Sequence, residues 1–169
     1  YYYQNAPWKK SSFSVSEGLS PESSKKVLMN EYWIKKGDMY REDLKNTFYD
    51  MVSQYIKVFT KIIPENFSQY RLNHYPEGGF MKNHIDNIHH SHGQTYGYPQ
   101  LTALLMLNDD YEGGNFLIAD NEYETAKGSA IVFPSNFMFP HAVKKVEKGT
   151  RYSIVTVSYT HLRAHETLL

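Results

Sequence analysis

The spacing of hydrophobic positions changes once along the chain. Between Asp38 and Ile62, the residues Leu44, Phe48, Val52, Tyr55, Phe59 and Ile62 recur at steps of three and four, the repeat of a helix with one buried face. The stretch before it predicts another helix, from Pro21 to Lys36. Ser20-Pro21-Glu22 supplies a capping hydroxyl and a proline at the first helical position, and Gly37 closes the element. Pro64 is expected to end the second helix. From about residue 69, short runs rich in Leu, Ile, Val, Phe and Tyr are divided by Gly, Pro and Asn, the punctuation of a β domain. Strands are expected over 69–75, 79–86, 100–107, 114–119, 129–133, 138–146 and 150–159.

Residues 1–19 are polar without a sustained period and read as an arm or a short edge strand. Helices followed by many short strands predict a mostly β fold, a sandwich or barrel buttressed on one side by N-terminal helices. The expected organisation is one domain over residues 1–159: arm 1–19, helical buttress 20–64 and β core 69–159. Residues 160–169 break the β pattern abruptly and read as a non-native or disordered tail; His161 and His165 within it lack a third ligand.

Composition narrows the chemistry. The 169 residues carry 18 Lys and Arg against 18 Asp and Glu, with no Cys and eight His. Zero formal net charge argues against binding nucleic acid through bulk electrostatics. The lack of Cys excludes disulfides, thiolate metal sites and a Cys nucleophile, so a metal must be held by His and carboxylate. No run of 18 apolar residues predicts a membrane span. The opening Tyr1-Tyr2-Tyr3-Gln4-Asn5-Ala6-Pro7 lacks the charged and apolar regions of a signal peptide, and a cytoplasmic setting is expected.

The strongest local signal is His84-Ile85-Asp86. In a strand, residues two apart project to one face, so imidazole and carboxylate would converge. Such a pair is common by chance, but 55 residues after Asp86 the run Phe139-Pro140-His141-Ala142-Val143 places another His in a later strand. Ten residues further on, Arg151 opens Arg151-Tyr152-Ser153-Ile154-Val155-Thr156-Val157, the most strand-like segment of the chain. An inward Arg there must meet an anion, because an unpaired buried charge costs several kcal/mol. Two His and one Asp suit the facial triad of iron(II), which leaves positions open for a chelating cosubstrate and dioxygen. A guanidinium can grip the far carboxylate of a dicarboxylate in bidentate fashion.

These segments, taken with Tyr75-Pro76-Glu77-Gly78-Gly79, Leu104-Leu105-Met106-Leu107-Asn108, Gly113-Gly114-Asn115-Phe116 and Gly149-Thr150-Arg151-Tyr152, stand in one order over residues 70–159. In that order the pattern resembles the iron(II)/2-oxoglutarate-dependent dioxygenases, in particular their prolyl 4-hydroxylase-like branch. The resemblance implies a double-stranded β-helix, a jelly-roll or cupin-like barrel with iron at its open mouth. By position it implies His84, Asp86 and His141 as metal ligands and Arg151 as the partner of the C5 carboxylate of 2-oxoglutarate. Tyr75 matches the motif Tyr beside the cosubstrate, and its hydroxyl could support that carboxylate. Met106 stands where related hydroxylases often carry a Tyr, so its contact is expected to be apolar. Ser153 and Val155 share a strand face with Arg151 and are expected along the pocket wall.

The cofactors so implied are Fe(II), 2-oxoglutarate and O2, with ascorbate a candidate reductant. The activity implied is hydroxylation of a C–H bond, most simply of a prolyl residue in a peptide or protein. A free amino acid or other small molecule is the alternative substrate. Asp86 fills the position that a halogenase leaves open for halide. The nucleic-acid-demethylating branch is disfavoured, since it sets its cosubstrate Arg further beyond the distal His and adds a second one. A cupin-like metal- or sugar-binding module without turnover is the rival from another class, and it leaves Arg151 without a role. His89, His90 and His92 lie between expected strands and read as a polar loop over the site mouth. His74 should face away from Tyr75, and Asp109-Asp110-Tyr111-Glu112 reads as a solvated turn.

Overall fold

The computed structural model describes residues 5–11, 27–64, 66–86 and 99–159. Strands dominate it, and the domain is built on two facing sheets. The larger sheet contains β1 (Lys9–Lys10), β3 (Asn30–Trp33), β5 (Arg71–Tyr75), β14 (Arg151–Tyr159), β7 (Pro99–Met106) and β11 (Ala130–Pro134), in that order. Strand β4 (Asn66–Phe67) joins it along β14. The smaller sheet runs β10 (Asn121–Tyr123), β9 (Phe116–Ile118), β12 (His141–Val143), β6 (Phe80–His84) and β2 (Val27–Leu28). A short ribbon of β8 (Glu112–Gly113) and β13 (Val146–Lys148) completes the set. Among the described residues each ladder is antiparallel. The fold is the expected double-stranded β-helix, although its ladders do not join into one closed barrel.

One helix, α1 (Arg41–Val58), covers the outer face of the larger sheet. Its Phe48 and Val52 are fully buried there, with Tyr70, Leu72, Leu101, Ala103 and Ile154 of the sheet side. Phe48 stacks on Tyr70 with ring centroids 5.2 Å apart. The opposite face of the sheet meets the smaller sheet across a second core that includes Leu104, Met106, Phe116, Ile118 and Phe133. The larger sheet is therefore buried on both sides, and along each strand odd and even residues serve different cores.

The N-terminal half departs from the expected two helices. Val27–Leu28 and Asn30–Trp33 are strands, because Val27, Met29 and Glu31 are buried in alternation with exposed Leu28 and half-buried Asn30 and Tyr32. That period of two lets β2 pair with β6 and β3 with β5, and tertiary pairing overrides the helix-start signal, which lies outside the described residues. The second helix is also shorter than 38–62. Asp38 accepts from the Lys35 amide (2.9 Å) and the Tyr32 hydroxyl (2.6 Å), which holds it in a turn before the helix. The helix stops at Val58, ahead of Pro64, and Phe59 is half exposed against Tyr55 (4.6 Å). The arm supplies an edge strand at Lys9–Lys10, as expected. The expected strand 138–146 splits into β12 and β13 in different sheets, and 79–86 ends at His84. Residues 160–169 lie outside the described residues. No helix among the described residues is long and apolar enough to cross a membrane.

The helix-side core is predicted to carry stability separately from the site. Phe48→Ala should cost about 3–5 kcal/mol and lower the denaturant midpoint in equilibrium unfolding. A cost below about 1 kcal/mol would mean that α1 contributes little to the core.

Candidate active site

His84 closes β6 and His141 opens β12, and the antiparallel register makes them cross-strand partners. Their rings lie 4.2 Å apart, centroid to centroid. Each Nδ1 bonds a carbonyl two residues earlier in its own chain segment: His84 to Lys82 O at 2.9 Å and His141 to Phe139 O at 3.2 Å. A carbonyl only accepts, so each Nδ1 donates to it and Nε2 is the atom that each ring turns toward Asp86. Both Nε2 atoms face Asp86, at 3.7 Å from Oδ1 for His84 and 3.3 Å from Oδ2 for His141. One ligand atom from each of the three residues falls within 4.8 Å of the others.

Asp86 does not reach this point by strand alternation, since β6 has already ended. It is held from the larger sheet. Thr102 Oγ1 donates to Asp86 Oδ2 at 2.7 Å and lies 2.9 Å from Ser135 Oγ. A hydroxyl has one proton, so Ser135 donates to Thr102 and Thr102 to Asp86. Burial alone would raise the Asp86 pKa, but the hydrogen bond and charge of His141, the charge of His84 and the Thr102 hydroxyl hold it well below the ordinary carboxylate range. Burial, followed by the neighbouring His141, lowers the His84 pKa. Phe133 lies edge-on to His141 at 4.9 Å and Phe116 at 5.8 Å, an aromatic wall behind the inner ligand.

Tyr75, His84, Asp86, His141, Arg151, Ser153 and Val155 line one cavity between the sheets. Arg151 is completely buried. Nη1 donates to Ser153 Oγ at 3.1 Å, and Nη2 points at Met106 Sδ at 3.2 Å. The Tyr75 ring lies under the guanidinium at 5.3 Å, and Nε has no acceptor. No carboxylate of the described residues is paired with it. Met106 stands behind the guanidinium, its Sδ against Nη2, and is not among the residues that line the cavity. The Tyr75 hydroxyl donates to Met81 Sδ at 3.9 Å. Gly114 sits at φ 64, and a Cβ there would meet Arg151 Cδ at 3.1 Å, so the absent side chain makes room for the Arg stem.

Several residues went unrecognised in the sequence. Thr102 and Ser135 support Asp86; Arg71 and Asn73 line the cavity on the same strand face as Tyr75. Asn108 clamps both neighbours of Arg151, donating to Thr150 O and accepting from the Tyr152 amide, each at 2.7 Å. For Arg71 and Asn73 the available signal was two polar residues at alternate positions of β5, whereas no such spacing marks Thr102, Ser135 or Asn108. His74 faces away from the cavity, stacked on Tyr152 at 5.1 Å. Asp110 accepts from Asn108 within the expected turn. His89, His90 and His92 lie outside the described residues.

A profile of the 2OG-Fe(II) oxygenase superfamily matches residues 70–159, more than half of the chain. The chain belongs to that superfamily. The superfamily's iron(II), 2-oxoglutarate and dioxygen suit this cavity, because the His-Asp-His donor set brings two imidazole nitrogens and a carboxylate oxygen to one point. Among similar proteins, a PKHD-type hydroxylase of Delftia acidovorans is 33% identical over 101 residues, 55% of this chain and 42% of that one. Prolyl 3-hydroxylase 2 of Homo sapiens is 36% identical over 66 residues, 35% of this chain and 9% of that one. The chain thus spans less than half the length of these curated relatives. Among solved structures, a Pseudomonas putida prolyl-4-hydroxylase aligns with TM-score 0.64 at 22% identity, over 80% of this chain and 74% of that one. A prolyl hydroxylase from Trichoplax adhaerens, in complex with a hypoxia inducible factor oxygen degradation domain peptide fragment, gives TM-score 0.69 at 19% identity, over 93% and 72%. At these identities the structures establish the oxygenase fold.

Burial and the neighbouring His141 predict that, in metal-free protein, His84 titrates below 6.5, the ordinary value for histidine. The Asp86 charge opposes that depression, so Asp86→Asn should move the midpoint lower still. Imidazole proton shifts followed by NMR against pH check both signs. A midpoint above 6.5, or an upward shift in the variant, would contradict the arrangement.

Proposed function

We propose that the chain is the catalytic domain of a non-haem iron(II), 2-oxoglutarate-dependent hydroxylase acting on a prolyl residue of a peptide or protein. The observation that carries the cosubstrate part is Arg151, a fully buried guanidinium with no carboxylate partner, on the wall of the cavity that holds His84, Asp86 and His141. A dicarboxylate would relieve that charge. In this reading His84, Asp86 and His141 hold the iron. Arg151 takes the far carboxylate of the cosubstrate, with Ser153 as neighbour and Tyr75 and Val155 as walls. Met106 backs the guanidinium through its sulfur.

When bound, iron and cosubstrate supply the oxidation: 2-oxoglutarate and O2 become succinate and carbon dioxide while a C–H bond becomes C–OH. The protein's part is to present two imidazoles and one carboxylate, orient the dicarboxylate, and keep water out behind Phe116 and Phe133. The Thr102–Ser135 relay keeps Asp86 in its ligating position. No acid–base pair is required. The prolyl substrate is supported by the names of the relatives, a PKHD-type hydroxylase and prolyl 3-hydroxylase 2, and by the peptide held by the Trichoplax adhaerens structure.

Anaerobic addition of iron(II) and 2-oxoglutarate is expected to produce the weak visible charge-transfer band of the chelate, and oxygen should then yield succinate. His141→Ala should abolish iron binding. Arg151→Ala should keep iron but raise the 2-oxoglutarate requirement by roughly a hundredfold, the scale of losing one partner of a buried charge pair. An iron-loaded wild type without the band, or equal cosubstrate affinity in wild type and Arg151→Ala, would refute the assignment. The prolyl part is tested by mass spectrometry of candidate peptides for a 2-oxoglutarate-dependent gain of one oxygen.

Thr102 gives a separate test of the ligand support. Thr102→Val should weaken iron binding by about 10–100-fold, as loss of an outer hydrogen-bond partner does, with unfolding little changed. Iron affinity equal to wild type would remove Thr102 from the site.

A further inference from the structure

The outer face of the larger sheet is covered differently at its two ends. Leu72 and Ile154, paired across β5 and β14, lie in the core beneath α1. Two residues nearer the site, roughly 7 Å along the strands, the same face carries His74 opposite Tyr152. The next pair, Tyr75 with Arg151, turns to the cavity. This is where both strands stop: β5 ends at Tyr75 and β14 begins at Arg151. Strand β7 has already left the ladder, its last pair being Met106 with Ser153. Strand ends open more readily than strand middles, so the cosubstrate socket sits on the part of the sheet that most needs a backing.

Trp8 supplies that backing. Its ring centroid lies 5.0 Å from that of His74 and 6.1 Å from that of Tyr152, and His74 stacks on Tyr152 at 5.1 Å. Asn30 Nδ2 donates to His74 Nδ1 at 2.9 Å from the adjoining strand β3. The segment that delivers Trp8 is tied down just beyond it. Lys9 and Lys10 pair with Glu31 and Asn30, the Ser11 amide donates to Met29 O at 3.1 Å, and Ser11 Oγ donates to Glu31 at 3.1 Å. Trp8 is not among the residues that line the cavity. It stands back to back with the socket, separated from it by the thickness of one sheet.

We propose that the arm is a strap for the cosubstrate socket and that Trp8 is its positioning residue. By clamping His74 and Tyr152 it fixes the strand ends on whose other face Tyr75 and Arg151 meet 2-oxoglutarate. This rests on the 2-oxoglutarate reading of Arg151 and adds to it a segment remote from the metal ligands. Docking of the strap and binding of the cosubstrate are then linked, and each favours the other by the same factor.

The test uses the whole chain with iron(II) under anaerobic conditions, and the charge-transfer band reports 2-oxoglutarate binding. Measurements are made at about pH 8, where a histidine whose pKa burial has lowered, as at His74, is neutral. Trp8→Ala should weaken 2-oxoglutarate binding about fivefold, the low end of coupling between sites. Its iron affinity should stay within about twofold of wild type, as for sites that share no partner. Trp8→Phe keeps an aromatic face and should recover most of the loss. Val52→Ala opens the core beneath α1 on the same sheet face and should leave 2-oxoglutarate affinity unchanged. In wild type, amide exchange over Lys9–Ser11 should slow about fivefold when 2-oxoglutarate is added to the iron-loaded protein, the same factor read in reverse. Exchange at the exposed β10 edge should not change. This measurement needs no variant and serves if Trp8→Ala does not fold.

The proposal is overturned if Trp8→Ala binds 2-oxoglutarate like wild type, or if Val52→Ala weakens it as much, since the effect would then be general loss of stability. It is also overturned if 2-oxoglutarate leaves exchange in the arm unchanged or slows β10 equally. A wild type without any band is a different result: it refutes the oxygenase reading itself, and this inference falls with it.

Discussion

Burying a guanidinium without a counter-anion is the demand around which this fold is arranged. Taking such a charge from water costs several kcal/mol unless its N–H groups are met, and Arg151 is fully buried with only a hydroxyl, a thioether and an aromatic face around it. Those three contacts come from β14, β7 and β5, and Gly114 beside β8 leaves the space for the stem. The socket exists only when all these elements are assembled. Asn108 adds a second requirement by fixing the backbone on both sides of Arg151, at the point where the β7–β14 ladder ends. The socket is rigid and under-satisfied at once, which is the condition for tight recognition of an anion.

The metal-ligating corner is built by a different device. Both histidines tie Nδ1 to the carbonyl two residues earlier, so the ring orientation is set locally by each strand. Cross-strand register then brings the rings together, and the carboxylate arrives from outside the strand on a hydroxyl relay anchored in the other sheet. Two sheets thus contribute to one corner, and a change in their separation would move Asp86 relative to the histidines. Sites held from both layers of a sandwich gain precision from the packing between them.

Period-two patterning made the β half legible, and with it the side of each strand that carries His84, Arg151, Ser153 and Val155. Where two structural types share a signal, the sequence misled. Val27 to Ile34 carries no clean alternation of apolar and polar residues, Ser20-Pro21-Glu22 and Gly37 frame it as a helix, and only pairing with β5 and β6 decides. The link between Asp86 and Thr102 was invisible because it joins residues 16 apart across two sheets, with no local spacing to mark it. Arg71 could have been read by the logic applied to Arg151, a charge on the inward face of an apolar strand. No motif surrounds it.

The two faces of the larger sheet explain how such a site is tolerated. Among the described residues, Asn73 Oδ1 and Arg151 Nε are buried without a hydrogen-bond partner, both on the cavity face of β5 and β14. One residue along each strand, Leu72 and Ile154 point the other way, into the core beneath α1. The apolar burial on that side offsets the polar cost on this one through the same backbone, since neither strand can release one face without the other. A ligand that supplies the missing partners removes the cost without disturbing the helix-side core. Binding energy at the cavity and packing energy at the helix are therefore linked through strands that hardly need to move.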